Sequence, residues 1–300
     1  MIIDAHAHLL QKKNFDREVW KRLKMPVPED TAISQFIEWL DEVGIDKAII
    51  MGQDMTRIWH SSCGEDHILE ATRSYPNKLI ALASVEPLNS HNRLNVSALE
   101  YFEQAVKENG FRGLLLTPPY GQYYSNDRRV YPFYQLAQEM NVIIQFHHSA
   151  QAGPTILAPQ KFASLELLND VIIDFPDLKI NIEHLGYPNC EQLFTLMVSD
   201  SNLYADTAML YYRPLLLTWY LEMAKEYDVI NRIMYASDYW VAGQGVFSNN
   251  PAKDMIRWIN VLKYEVNKIA QSSGWPLFSQ QEIEGILWKN AAEFHDLGTV

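Results

Sequence analysis

Cysteine is scarce in this chain, Cys63 and Cys190 being the only two in 300 residues. They stand far apart and in no CxxC arrangement, so neither a disulfide framework nor a thiolate zinc site is expected, and both read as small semi-buried residues. No apolar run approaches the roughly 18 residues that cross a bilayer, and the amino terminus carries no basic region followed by a long apolar stretch. Runs of lysine or arginine are missing too: 25 basic side chains against 37 acidic ones leave a net charge of -12 and no basic stripe. Membranes and nucleic acids are therefore poor partners, the acidity is assigned to solubility, and a cytoplasmic protein acting on a small molecule is expected. Low-complexity tracts, convincing repeats and linker-like stretches are also lacking.

What is present is a chain 48% hydrophobic, enough for a sizeable core. Short β-rich runs alternate with helical patterns. After the opening MIIDAHAHLL come DKAIIMG (46–52), LIALASV (79–85), GLLLTPP (113–119), VIIQFHH (142–148), LKINIEHLG (178–186), NLYADTA (202–208) and RIMYASDYW (232–240). Between them fall helical stretches. In one, Ile33, Phe36, Ile37, Leu40 and Val43 form a single apolar stripe that Gly44 stops, and others cover 63–75, 97–109, 128–140, 160–174, 189–199, 214–227, 251–271 and 280–294. Gln11 to Asp30 reads as a polar connection, long for such a chain and hence a functional or disordered loop. Eight strands alternating with at least as many helices point to an α/β protein built as one closed (β/α)8 TIM barrel over residues 1–300.

The first ten residues organise the rest. Asp4, His6 and His8 fall on alternate positions, and in a strand side chains two apart share a face, with Cα atoms about 6.5 to 7 Å apart. Two imidazoles so placed can converge on one ion. With the strands as read, His6 and His8, His147, His184 and Asp238 all stand at carboxyl ends, the rim where barrels of this kind keep their chemistry. Imidazole and carboxylate suit Zn²⁺ or a similar ion, which makes water acidic enough to supply hydroxide near neutral pH. His147 and His148 compete for one position, and alternation turns them to opposite faces. Arg57, after the second strand, and Arg213, after the seventh, are candidates to clamp a substrate carboxylate. Trp240 is a candidate pocket wall. His60, His67, His91 and His295 have no positional support for a role at the site.

The motifs IIDAHAH (2–8), YPNKLIALASVEP (75–87), GFRGLLL (110–116), VIIQFHH, INIEHLG (180–186), YASDYW (235–240) and ILWKNAAEFH (286–295), in that order, resemble the amidohydrolase superfamily, in the branch that holds aminocarboxymuconate semialdehyde decarboxylase and related hydrolases. The resemblance implies that His6, His8, His147 and Asp238 bind one divalent ion, zinc first and manganese second. It implies that His184 is a catalytic acid or base and that Asp238 also takes a proton from water. It favours His147 over His148, because the family's histidine directly follows the apolar strand. Strand four has no lysine to bridge two metals, which favours a single ion. The activity implied is metal-dependent hydrolysis of a small, carboxylated cyclic or unsaturated compound. A non-oxidative decarboxylase on the same site is the alternative, and an idle metal-binding scaffold is a third reading. Retention of His6, where some decarboxylases carry glutamate, favours hydrolysis. A homodimer fits the resemblance, since related decarboxylases borrow an arginine across an interface.

Overall fold

The computed structural model describes all residues except 28, 151–152, 240–249 and 299–300. Its strands are β1 (Ile3–His8), β2 (Lys47–Met51), β3 (Leu79–Ala81), β4 (Ala83–Ser84), β5 (Gly113–Leu116), β6 (Ile143–Phe146), β7 (Ile180–Ile182), β8 (Leu203–Asp206) and β9 (Ile233–Met234). Every ladder is parallel, in the orders β1-β2-β3 and β4-β5-β6-β7-β8-β9. β3 and β4 are halves of one barrel position. The Leu82 amide between them donates to Ile50 O at 3.0 Å, and the Arg112 amide donates to Ala81 O at 2.8 Å. The ring closes where the Ala5 amide donates to Tyr235 O at 3.0 Å and the Asp238 amide to His6 O at 2.8 Å. The architecture is thus the expected TIM barrel.

Strands covered on both faces should read as apolar runs, and these do. Ile3, Ala5, Ile49, Met51, Leu115, Ile143 and Met234 fill the barrel, while Ala7, Ile50, Leu116, Phe146, Ile182 and Ala205 pack outward against the helices. The helix Ile33–Val43 buries Phe36, Ile37 and Leu40 and ends on Gly44 at φ 78°, as its stripe required. Cys63 and Cys190 are free and buried. Among the described residues no helix is long and apolar enough to cross a membrane.

Three departures from the sequence reading shape the site. First, β1 is not one regular strand. Three steps from Asp4 to Ala7 face two steps from Ala48 to Ile50, so a β-bulge inserts one residue. The bulge resets the alternation: Ile3 and Ala5 point inward before it, and His6 and His8 point inward after it. Asp4 is thereby turned to backbone, its Oδ1 accepting from the amides of His6 at 3.2 Å and Ser237 at 2.9 Å. Second, β7 stops at Ile182, and His184, Leu185 and Gly186 continue with φ of 57°, 52° and 62°. Third, the stretch expected to be a polar loop contains a helix, Arg17–Arg22, capped by the Asp16 carboxylate. Phe15, Val19, Trp20 and Leu23 from this stretch pack with Met55, Trp59, Tyr120 and Leu157 in a satellite cluster. These residues come from connections that follow β1, β2, β5 and β6, so the cluster roofs the carboxyl end of the barrel.

Candidate active site

Four histidines meet under that roof. His6 Nε2 and His8 Nε2 are 3.0 Å apart, and Asp238 Oδ1 lies 3.7 Å from the first and 3.5 Å from the second. Donors held about 2.0 to 2.2 Å from one ion stand roughly 3 to 4 Å from each other, so this corner has the spacing a single cation needs. A second triple, His6, Glu183 and His184, also has its donor atoms within 4.8 Å of one another. His147 belongs to neither triple, but its ring centroid is 5.1 Å from that of His184 and its Nδ1 is 2.7 Å from Glu183 Oε2. His148 turns away, edge-on to Phe146 at 5.2 Å. Of the two competing histidines, it is His147 that reaches the cluster.

A common orientation runs through the four rings. His8 Nδ1 faces Gly52 O at 3.3 Å, His147 Nδ1 faces Glu183 Oε2 at 2.7 Å, and His184 Nδ1 faces Ala208 O at 3.2 Å. His6 Nδ1 is 3.4 Å from Asp206 Oδ2, an ion-pair contact longer than a well-formed hydrogen bond. An acceptor beside Nδ1 holds the proton there and leaves the lone pair on Nε2. Each histidine therefore offers Nε2 to the mouth, and His147 Nε2 is buried with no hydrogen-bond partner. Donor chemistry, spacing and this orphaned nitrogen together fit a divalent cation.

Under the rings lies a polar floor that the sequence reading did not assign. Asp206 Oδ1 accepts from the His184 and Ala208 amides at 3.0 and 3.1 Å, and its Oδ2 accepts from Asn181 Nδ2 at 3.1 Å. Glu183 Oε1 accepts from Gln145 Nε2 at 2.8 Å. This floor also holds strained backbone. His184 at φ 57° and Asp238 at φ 49° occupy the left-handed region, which costs a non-glycine residue about 1 to 3 kcal/mol. Asp206 pins the first, and the Asp238 amide on His6 O pins the second.

The titrations follow from crowding buried charges. Burial pushes the Asp238 carboxyl up to about 8, with the neighbouring Glu183 and Asp206 adding to it and His6 opposing. Burial alone would lower His6, but Glu183, Asp206 and Asp238 outweigh it and raise the ring to about 10. Burial, then the charge on His6, lowers His8 to about 3, and burial with His147 lowers His184 to about 4. Glu183 is held well below the usual carboxylate range: burial opposes this, but His6 and His147 prevail. A metal-free cluster thus keeps positive charge on His6.

The remaining sequence candidates lie elsewhere. The Arg57 side chain is 8% exposed, its Nε 3.4 Å from Glu86 Oε2, one terminal nitrogen 2.8 Å from Asn92 Oδ1 and the other on Gly121 O. Arg213 is exposed, its guanidinium 5.9 Å from the Tyr187 ring centroid. Neither is brought to the histidines, and Trp240 lies outside the described residues. His60 and His91 are exposed, His67 faces Thr31 O, and His295 packs on Phe294.

Gly52 sets the edge of the site. Its carbonyl orients His8, and a Cβ there would collide with Cys63 Sγ and the Cys63 carbonyl oxygen. Gly52→Ala is expected to lower stability by about 1 to 3 kcal/mol, as overpacking does, and to weaken cation binding with it. A denaturant midpoint equal to that of the wild type would show that the turn has room.

Comparison with known proteins places this geometry in context. The amidohydrolase family profile matches residues 3–297. A 2-keto-4-carboxy-3-hexenedioate hydratase of a Sphingobium species is 33% identical over 103 residues, which is 30% of this chain and only 30% of that relative's length. Among solved structures, a probable 2-pyrone-4,6-dicarboxylic acid hydrolase of Acinetobacter baumannii superposes with a TM-score of 0.68 at 17% identity, covering 98% of this chain and 99% of that one. A dihydroxybenzoic acid decarboxylase of a Polaromonas species, solved with bound manganese and 2-nitroresorcinol, gives 0.67 at 16% identity, covering 100% and 98%. At these identities the structural likeness is one of fold.

Proposed function

The chain belongs to the amidohydrolase family, an enzyme of its hydrolase or carboxy-lyase type, and on that premise we propose that it hydrolyses a small cyclic or unsaturated carbonyl compound at one divalent cation. His6, His8 and Asp238 would hold the ion, with His147 Nε2 as the fourth donor. A bound ion, zinc in this reading with manganese as the other candidate, would supply Lewis-acid activation of water and of the substrate oxygen. The observation that carries the reading is the shared orientation of the four imidazoles, each with an oxygen at Nδ1 and Nε2 left for the mouth.

The chain's own groups then do the following. The Asp238 carboxylate takes a proton from the attacking water. His184, with its Nδ1–H on Ala208 O, keeps Nε2 as the atom that receives that proton in turn and passes it to the leaving group. Asp206 holds the His184 backbone in place while this happens. The roof of Trp20, Trp59 and Tyr120 limits water, with the Tyr120 ring 5.0 Å from His147.

Hydrolysis is preferred to decarboxylation for a specific reason. Of the two guanidinium candidates for gripping a carboxylate that is to be expelled, Arg57 is already shared among Glu86, Asn92 and Gly121, which leaves only the exposed Arg213 beside Tyr187 for that task. The test is to measure metal in protein purified without additions and to assay panels of lactones and amides beside aromatic and muconate-type acids. About one zinc or manganese per chain with acid release from lactones or amides is expected. Release of CO₂ from the acids instead would reverse the order of the two readings, and a metal-free protein would count against both.

A further inference from the structure

Glu183 has no role in the reaction as proposed above, yet it is 2% exposed in the middle of the cluster. Such a carboxylate is expensive to bury unless each oxygen has a partner. Both have one: Gln145 Nε2 donates to Oε1 at 2.8 Å, and His147 Nδ1 donates to Oε2 at 2.7 Å, a length typical of a charge-assisted bond. On the far side of the same ring, His147 Nε2 is buried and has no partner. Glu183 also stands 3.4 Å from His6 Nε2 and 3.6 Å from His184 Nε2, but its two short bonds run to Gln145 and to the back of the His147 ring.

The geometry points to Glu183, anchored by Gln145, as the positioning residue that fixes His147 in the tautomer with hydrogen on Nδ1 and so presents Nε2 to a cation. This rests on the reading of the rim as a cation site. Without Glu183 the imidazole has no acceptor behind it, its tautomers mix, and its ring is free to turn. Loss of such a partner typically weakens metal binding 10- to 100-fold. Gln145→Leu leaves every histidine and carboxylate intact but frees Glu183 to move, so it acts in the same direction with a smaller effect.

Two readouts test this, neither of them turnover. Zinc affinity is measured by chelator competition, and the His147 tautomer is read from long-range ¹⁵N–¹H imidazole spectra with and without zinc. Wild type is expected to show hydrogen on Nδ1 of His147. Glu183→Ala should lose that signature and bind zinc 10- to 100-fold more weakly, with Gln145→Leu lying between. A folded Glu183→Ala protein with the wild-type tautomer and affinity overturns the assignment. If that variant does not fold, Gln145→Leu with an unchanged tautomer and affinity overturns it. A wild type that binds no zinc sinks the cation reading, and the tautomer in the metal-free protein still decides the role of Glu183.

Discussion

His6→Gln is expected to empty the site, taking bound zinc or manganese from about one per chain to nearly none and activity to background. His6 is the one residue common to both triples of donors, and it is fully buried at 0% exposure. Its ring also separates carboxylates: Asp206 lies 3.4 Å from one nitrogen, while Glu183 and Asp238 lie 3.4 and 3.7 Å from the other. Removing it leaves three buried acids without the positive charge that offsets them. Breaking a buried pair in this way costs about 3 to 5 kcal/mol, so the melting transition should fall as well. Elemental analysis and calorimetry of the purified variant check both effects. Retention of a full equivalent of metal would show that His6 is not a donor.

His184→Gln is expected to separate chemistry from binding. The side chain lies beyond the His6, His8 and Asp238 corner, so the cation should stay, whereas loss of a positioned acid or base lowers kcat about 10²- to 10⁴-fold. The chain invests heavily in this residue. Its φ of 57° is strained, and Asp206, Asn181 and the Ala208 carbonyl are all spent on holding it. A variant with normal metal content and normal kcat would leave that arrangement without a catalytic purpose. Metal loss in step with activity would instead make His184 a donor.

Much of this site is legible in the chain before any coordinates. His6 and His8 are visible because packing alone does not call for alternating imidazoles after an apolar strand start, and His147, His184 and Asp238 because they stand where apolar runs stop. What escapes is the bulge in β1. A one-residue insertion leaves no mark on HxH, yet it moves Asp4 off the histidine face and onto the Ser237 amide. The floor escapes for a different reason. Gln145 and Asn181 read as stray polar residues inside VIIQFHH and INIEHLG, yet a polar side chain two positions before a rim histidine or carboxylate is the available signal, since both share the inward face. The surroundings of Arg57 escape because position after a strand says nothing about Glu86, which contacts it from 29 residues away. The Gln11 to Asp30 connection misleads because its few apolar residues are spaced for a roof and not for the main core.

The most direct test of the central claim is anomalous diffraction at the zinc edge from crystals of the zinc-loaded protein. A single strong peak is predicted within about 2.0 to 2.2 Å of Nε2 of His6, His8 and His147 and of an Asp238 carboxylate oxygen. A peak bound elsewhere on the protein, or none at the rim while these side chains diverge, would contradict it.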